Sequence, residues 1–120
     1  MAGFPNAFMM FGPNIGVASA FTLIEAQLRY VMDALRTMRR EGLAAVEVRP
    51  EIQDAFNEEV QDALRGTVWN AGGCRSYYLD ATGRNTTVWP WTMRRLQRML
   101  RWFDLESYET EVPMPEPVAA

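Results

Sequence analysis

Ala7-Phe8-Met9-Met10-Phe11, closed by Gly12-Pro13-Asn14, is the stretch on which the fold turns. Five apolar residues in a row, bounded by turn signals, predict a strand buried on both faces. Such a strand needs neighbours. Only Gly3-Phe4-Pro5-Asn6 stands just before it, and that reads as a turn, because Pro fixes φ and Asn can bond its own backbone. No partner strand precedes it in this chain.

C-terminal to that stretch the pattern changes to a helical period. Ile24, Leu28, Val31, Leu35 and Met38 recur at steps of four and three, with Leu23, Ala26, Tyr30 and Ala34 widening the apolar face. Ser19 is one candidate N-cap and Thr22 with Glu25 offers a capping box slightly later, while Gly42 closes the helix behind Arg39 and Arg40. Ala45-Val46-Glu47-Val48-Arg49 alternates like a strand. Pro50 then opens a second helix, about Glu51 to Arg65, with Ile52, Phe56, Val60, Ala63 and Leu64 on one face and Gly66 as its stop.

Two further runs, Ser76-Tyr77-Tyr78-Leu79 and Thr86-Thr87-Val88-Trp89, flank Asp80-Ala81-Thr82-Gly83-Arg84 and predict a hairpin. Thr92 to Phe103 predicts a short helix with Met93, Leu96, Met99, Leu100 and Phe103 on one side and Arg94, Arg95, Arg98 and Arg101 elsewhere. Pro113-Met114-Pro115-Glu116-Pro117 reads as a flexible tail.

Composition narrows the chemistry. The 120 residues suit one ordinary domain, and 48% apolar with four Trp, six Phe and four Tyr is enough to drive collapse. All twelve basic residues are Arg, there is no His, Cys74 is the one cysteine, and the net charge is −3. These residues cannot build a Ser-His-Asp triad, a Cys-His pair, an ordinary zinc site or an internal disulfide. The acidic balance argues against an obligate nucleic-acid binder. The basic stretch at 75–101 is followed at once by an acidic one at 102–120. Ala18-Ser19-Ala20 looks like a signal-peptidase site, but no basic residue follows Met1 and Gly12-Pro13-Asn14 breaks the apolar run. Neither a signal peptide nor a membrane span is expected, and the lone cysteine suits the cytoplasm.

Phe4-Pro5-Asn6-Ala7-Phe8 into Met9-Met10-Phe11-Gly12-Pro13-Asn14, then Ala20-Phe21-Thr22-Leu23-Ile24-Glu25-Ala26-Gln27, resembles the C-terminal part of FAD-containing monooxygenases of the Baeyer–Villiger type. Trp69-Asn70-Ala71-Gly72-Gly73-Cys74-Arg75-Ser76-Tyr77-Tyr78-Leu79-Asp80, followed by Gly83-Arg84-Asn85-Thr86-Thr87-Val88-Trp89-Pro90, is similar to the closing segment of a subgroup of the same enzymes. The Gly-rich dinucleotide turns and the His-bearing fingerprint of that family are not in these 120 residues.

The resemblance implies an α/β fragment of a flavoprotein with two dinucleotide-binding domains. Residues 1–42 would be the last strand, loop and helix of the FAD domain, 43–112 a C-terminal segment, and 113–120 a tail. It implies FAD and NADP as cofactors, held mainly by parts of a longer chain, and a reaction in which NADPH and O₂ oxygenate a ketone or a heteroatom. Partners would be that small-molecule substrate and the rest of the longer chain. By the same resemblance Gly12, Pro13, Asn14, Ser19 and Ala20 contact the flavin, and Tyr77, at a position where the family often has Trp, approaches the nicotinamide and substrate pocket. No catalytic residue and no metal ligand falls on these residues. The fragment alone is expected to be inactive and, with its apolar faces uncovered, poorly soluble or self-associating.

Readings of other residues stay open. Tyr77 is equally a cross-strand aromatic of a hairpin, and Arg84 is either a phosphate contact or a solvated turn arginine. Cys74 reads as a small buried residue, and Asn85-Thr86-Thr87 as a silent glycosylation sequon. A second reading of the whole chain is a stand-alone interaction module. Its Arg-bearing helix, flanked by Trp91, Trp102 and Phe103, would meet a membrane surface or a nucleic-acid backbone.

Overall fold

A computed structural model describes residues 1–16, 19–72 and 77–113. Cys74, Arg75, Ser76, Ala18 and the tail from Met114 lie outside them. Helix α1 runs Ala20–Glu41, strand β1 Ala45–Val48, helix α2 Pro50–Leu64, a helical turn α3 Val68–Ala71, and helix α4 Met93–Met99. A 3₁₀ turn at Leu105–Ser107 leads into strand β2, Tyr108–Glu111.

Both ends of α1 follow the sequence. Ser19 is its N-cap, and Gly42, at φ 66°, takes the left-handed turn that lets its N–H bond the Met38 carbonyl. The buried stripe, however, is rotated from the expected one. Leu23, Ala26, Ala34, Thr37 and Met38 are buried, while Leu28 and Leu35 join Phe21 and Met32 in an exposed stripe. The helix carries apolar residues on two faces, and the described elements cover one of them.

The expected strand at 7–11 is not formed. Met9, Met10 and Phe11 are exposed, and Phe11, with its N–H on the Gln27 side-chain oxygen at 3.0 Å, turns the chain at φ 52°. No described segment pairs with this run as a ladder, so nothing holds it extended. Asn6 fastens the chain before it. Its N–H and side-chain N–H bond the carbonyls of Val46 and Ala44, and its side-chain oxygen accepts the Val46 N–H.

The sheet is instead the antiparallel pair β1 and β2, with Val48 opposite Tyr108 and Ala45 opposite Glu111. Its inner face joins Val46 to Ala34, Met38 and Phe103, with Tyr30 and Tyr108 packed alongside. Two other clusters complete the interior: Ile15, Leu23, Trp89 and Leu96 between the N-terminal segment, α1 and α4, and Val60, Leu64 and Val88 under α2. Of the expected apolar face of α2, Val60 and Leu64 are buried and Ile52 and Phe56 remain exposed.

The predicted hairpin shrinks to one bridge, Leu79 with Asn85, around a turn whose Asp80 carboxylate accepts the N–H groups of Thr82 and Arg84. Its second run does not continue the ladder because the Asn85 side-chain oxygen takes the Thr87 and Val88 N–H groups. That run pairs in parallel with the N-terminal segment at Gly16 and Val88. Helix α4 begins one residue after the expected start, with Thr92 as its cap accepting the Arg95 N–H, and ends at Met99, while Phe103 is held separately by the Asp33 carboxylate at 2.9 Å.

Candidate functional site

Gly12, Pro13 and Asn14 border an open groove of about 440 Å³ whose apolar lining includes Met9, Ile15, Phe56, Trp89 and Leu96. Gln27, Gln53 and Asn57 bring carboxamides to the same groove, and no ionisable side chain lines it. Asn14 adopts φ 58°, a left-handed conformation that Asn tolerates better than bulkier residues. Its side chain is engaged by the protein, with Nδ2 donating to the carbonyls of Asn85 at 2.7 Å and Val88 at 3.1 Å. Its backbone N–H bonds the Thr86 carbonyl at 2.9 Å.

Ser19 and Ala20 stand at the start of α1, separated from the turn by residues outside the description. Ser19 caps through backbone geometry, its side chain makes no cap bond, and the first turn holds no acid. Of the two candidate caps, Ser19 is therefore the one in place. Neither a side-chain cap from Ser19 nor a first-turn acid competes for the leading N–H groups of α1, where the positive end of the helix dipole lies. That donor set is uncharged and suits the carbonyl edge of a neutral heterocycle.

Tyr77 is 93% exposed, and its ring meets Tyr78 edge-on at 5.7 Å, which in turn meets Trp69 at 5.1 Å. The backbone links this segment to the turn: Thr86 donates to the Tyr78 carbonyl and accepts from Asn14. Arg84 is the turn arginine, paired with Glu58 at 2.9 Å, and Arg95 of α4 pairs with Glu59 and lies over the Trp91 ring at 4.0 Å. Burial, reinforced by hydrogen bonding to the Tyr108 hydroxyl 3.0 Å away, pushes the Tyr30 phenol far above its ordinary range, and burial raises Tyr108 too. Neither serves as an acid or base near neutrality. Among the described residues no group of His, Cys, Asp and Glu is placed to hold a metal ion, and no helix is long and apolar enough to cross a membrane.

The residue that sequence reading missed is Asn85, which has no exposed surface and bonds Gln61, Asn70, Asn14, Thr87 and Val88. Its place after a Gly-containing turn was the available signal, but the sequon drew attention to its surface chemistry instead. Burial closes that chemistry.

No family model matches the chain. Individual proteins do. It is 45% identical over 122 residues to a Baeyer–Villiger monooxygenase of Streptomyces coelicolor, covering 99% of this chain and 24% of that protein. It is 43% identical over 117 residues to a Baeyer–Villiger monooxygenase of Pseudomonas aeruginosa, covering 94% and 22%. An FAD-binding monooxygenase of Aspergillus niger is 35% identical over 109 residues. Among solved structures, an oxidized steroid monooxygenase bound to NADP superposes with a TM-score of 0.78 at 21% identity, over 94% of this chain and 22% of that one. The chain thus spans about a quarter of the length of the relatives it matches, and its mixed helix-and-strand fold is that of a flavoprotein monooxygenase fragment.

Proposed function

We infer that this chain, homologous over nearly its whole length to a segment of Baeyer–Villiger monooxygenases, is the C-terminal part of a monooxygenase that uses FAD, NADPH and O₂ to oxygenate a ketone or a heteroatom. The observation that carries this reading is the 45% identity across 99% of the chain.

In this reading Gly12, Pro13 and Asn14, with Ser19 and Ala20 at the head of α1, form one wall of the flavin site. The residues fit the group: Ser19 makes no side-chain cap bond and the first turn of α1 holds no acid. The bound flavin supplies the redox and oxygen chemistry. The chain's own part is to aim backbone N–H groups and a helix dipole at the pyrimidine edge of the ring, where negative charge is stabilised on reduction. It also contributes an uncharged, largely apolar surface that keeps water away. Tyr77, on the segment fastened to the turn through Thr86, faces the nicotinamide and substrate side. Residues 1–42 belong with the FAD domain and 43–112 form the C-terminal segment. The uncovered stripe Phe21, Leu28, Met32 and Leu35, with Met9, Met10 and Phe11, packs against the remainder of the longer chain, and the cytoplasm supplies the NADPH.

The test is a chimera in which these 120 residues replace the matching segment of the Streptomyces coelicolor protein. The expected product retains flavin through gel filtration and consumes NADPH in response to ketones. A chimera that folds yet carries no flavin overturns the reading.

A further inference from the structure

Three carboxamide side chains converge on one residue next to the groove. The Asn85 carbonyl oxygen accepts from Asn14 Nδ2 at 2.7 Å and from Gln61 Nε2 at 2.9 Å, so both its lone pairs are filled. Gln61 Oε1 accepts the Asn85 N–H at 3.0 Å, and Asn85 Nδ2 donates to Asn70 Oδ1 at 3.0 Å. The remaining acceptor of Asn85, its side-chain oxygen, serves Thr87 and Val88. Asn85 therefore has one orientation open to it, and Gln61, reaching from α2, fixes its backbone.

We propose that Gln61 is a positioning residue for the turn Gly12-Pro13-Asn14: it clamps the Asn85 backbone, and Asn85 in turn holds Asn14. The proposal rests on the reading of that turn as a flavin contact. Asn14 lies at a positive φ, and its hold on the 85–88 segment consists of the two side-chain bonds plus the Asn14 and Gly16 N–H bonds to Thr86 and Thr87. Loss of the Gln61 clamp frees the Asn85 carbonyl to rotate and removes the fixed acceptor on which Asn14 depends. Every group in this chain of contacts is uncharged, so the positioning is the same across the working pH range. It reaches from a helix that does not touch the turn through Gln61 itself.

The experiment has two arms. In the 120-residue chain, hydrogen exchange at the Asn14 and Gly16 amides is compared between the unsubstituted protein, Gln61→Met, and Val60→Ala, which weakens the packing of the same helix without touching the carboxamides. In the chimera, FAD affinity and the visible circular dichroism of the flavin are compared for the same variants. Gln61→Met is expected to speed exchange at both amides about tenfold and to weaken FAD binding by about the same factor, the loss of one buried paired group. Asn14→Gly, which keeps the left-handed backbone and removes only the side-chain donor, is expected to act in the same direction. Unchanged exchange in Gln61→Met, or an equal effect from Val60→Ala, overturns the role of Gln61. Faster exchange with FAD affinity and dichroism unaltered overturns its link to the flavin, and an unsubstituted chimera without flavin overturns the reading of the turn itself.

Discussion

Gln61 and Asn85 bind each other twice, the side-chain amide of one reading both the N–H and the carbonyl of the other at 3.0 and 2.9 Å. The pair makes a backbone-like ladder between a helix side chain and a loop. It lets the 85–88 segment leave the hairpin pairing that its sequence suggests and lie beside Gly16 instead.

Asn85→Ala takes the partner from the buried Val88 N–H and from the half-buried Thr87 N–H and Asn70 side-chain oxygen. The expected loss is about 3 kcal/mol, the combined effect of buried and half-buried groups left unpaired. Urea denaturation followed by tryptophan fluorescence reads it, since Trp89 and Trp91 pack edge-on at 4.9 Å close to this loop. A loss below about 1 kcal/mol means the three groups find water.

The exposed stripe on α1 makes the isolated chain stick to itself. Phe21 is 83% exposed, and Leu28, Met32 and Leu35 follow it along one face. Size-exclusion chromatography is expected to show association that grows with concentration. Combining Phe21→Ser, Leu28→Gln and Met32→Gln is expected to give a monomer with unchanged unfolding midpoint, because none of the three fills the described interior. Leu23→Ala, two residues after Phe21 on the buried side, is expected to cost about 2–5 kcal/mol.

How far the sequence could be read depended on whether the deciding partner lay within it. Helix α1 was legible to within a residue because Ser19, the apolar period and Gly42 are local signals. Its buried face was not, since Leu23 and Leu28 are equally apolar and packing alone separates them. The run Ala7 to Phe11 reads as a strand by composition, yet a strand is defined by its neighbours, and none pairs with it among the described residues. Strand β2 was missed although Tyr108-Glu109-Thr110-Glu111-Val112 alternates cleanly, because 102–120 was read only for its acidic charge. Gly12, Pro13 and Asn14 border one groove together, as consecutive residues of a turn that the sequence already marked. The engagement of Asn14 by Asn85 was not legible, because it spans 71 positions and carries no periodic signature.

Asp80 gives the chain a sharp acid-sensitive turn. The Thr82 hydroxyl, bonded at 2.7 Å, and then the Arg84 N–H hold its carboxyl below the usual range. A depressed folded-state value means the turn is stabilised above the ordinary Asp value near ~3.9 and loses that support as pH falls through the lowered one. The Thr82 and Arg84 amide resonances are expected to titrate together with a midpoint below that of a model Asp. Asp80→Asn is expected to abolish the titration.

Gly42 and Gly66 separate backbone strain from space. A methyl group at either meets nothing within 4 Å, but only Gly42 adopts a left-handed φ, at 66°. Gly42→Ala is therefore expected to lower stability by about 1 kcal/mol through the backbone alone, fraying the last turn of α1, which holds Arg39 and Arg40. Gly66→Ala is expected to be neutral or to stabilise by up to about 1 kcal/mol, since it restricts the unfolded chain without strain in the folded one. Thermal unfolding of the two variants side by side checks the difference. Equal losses at both sites would show that alanine strains the second turn as well, and that Gly66 is required for its own geometry.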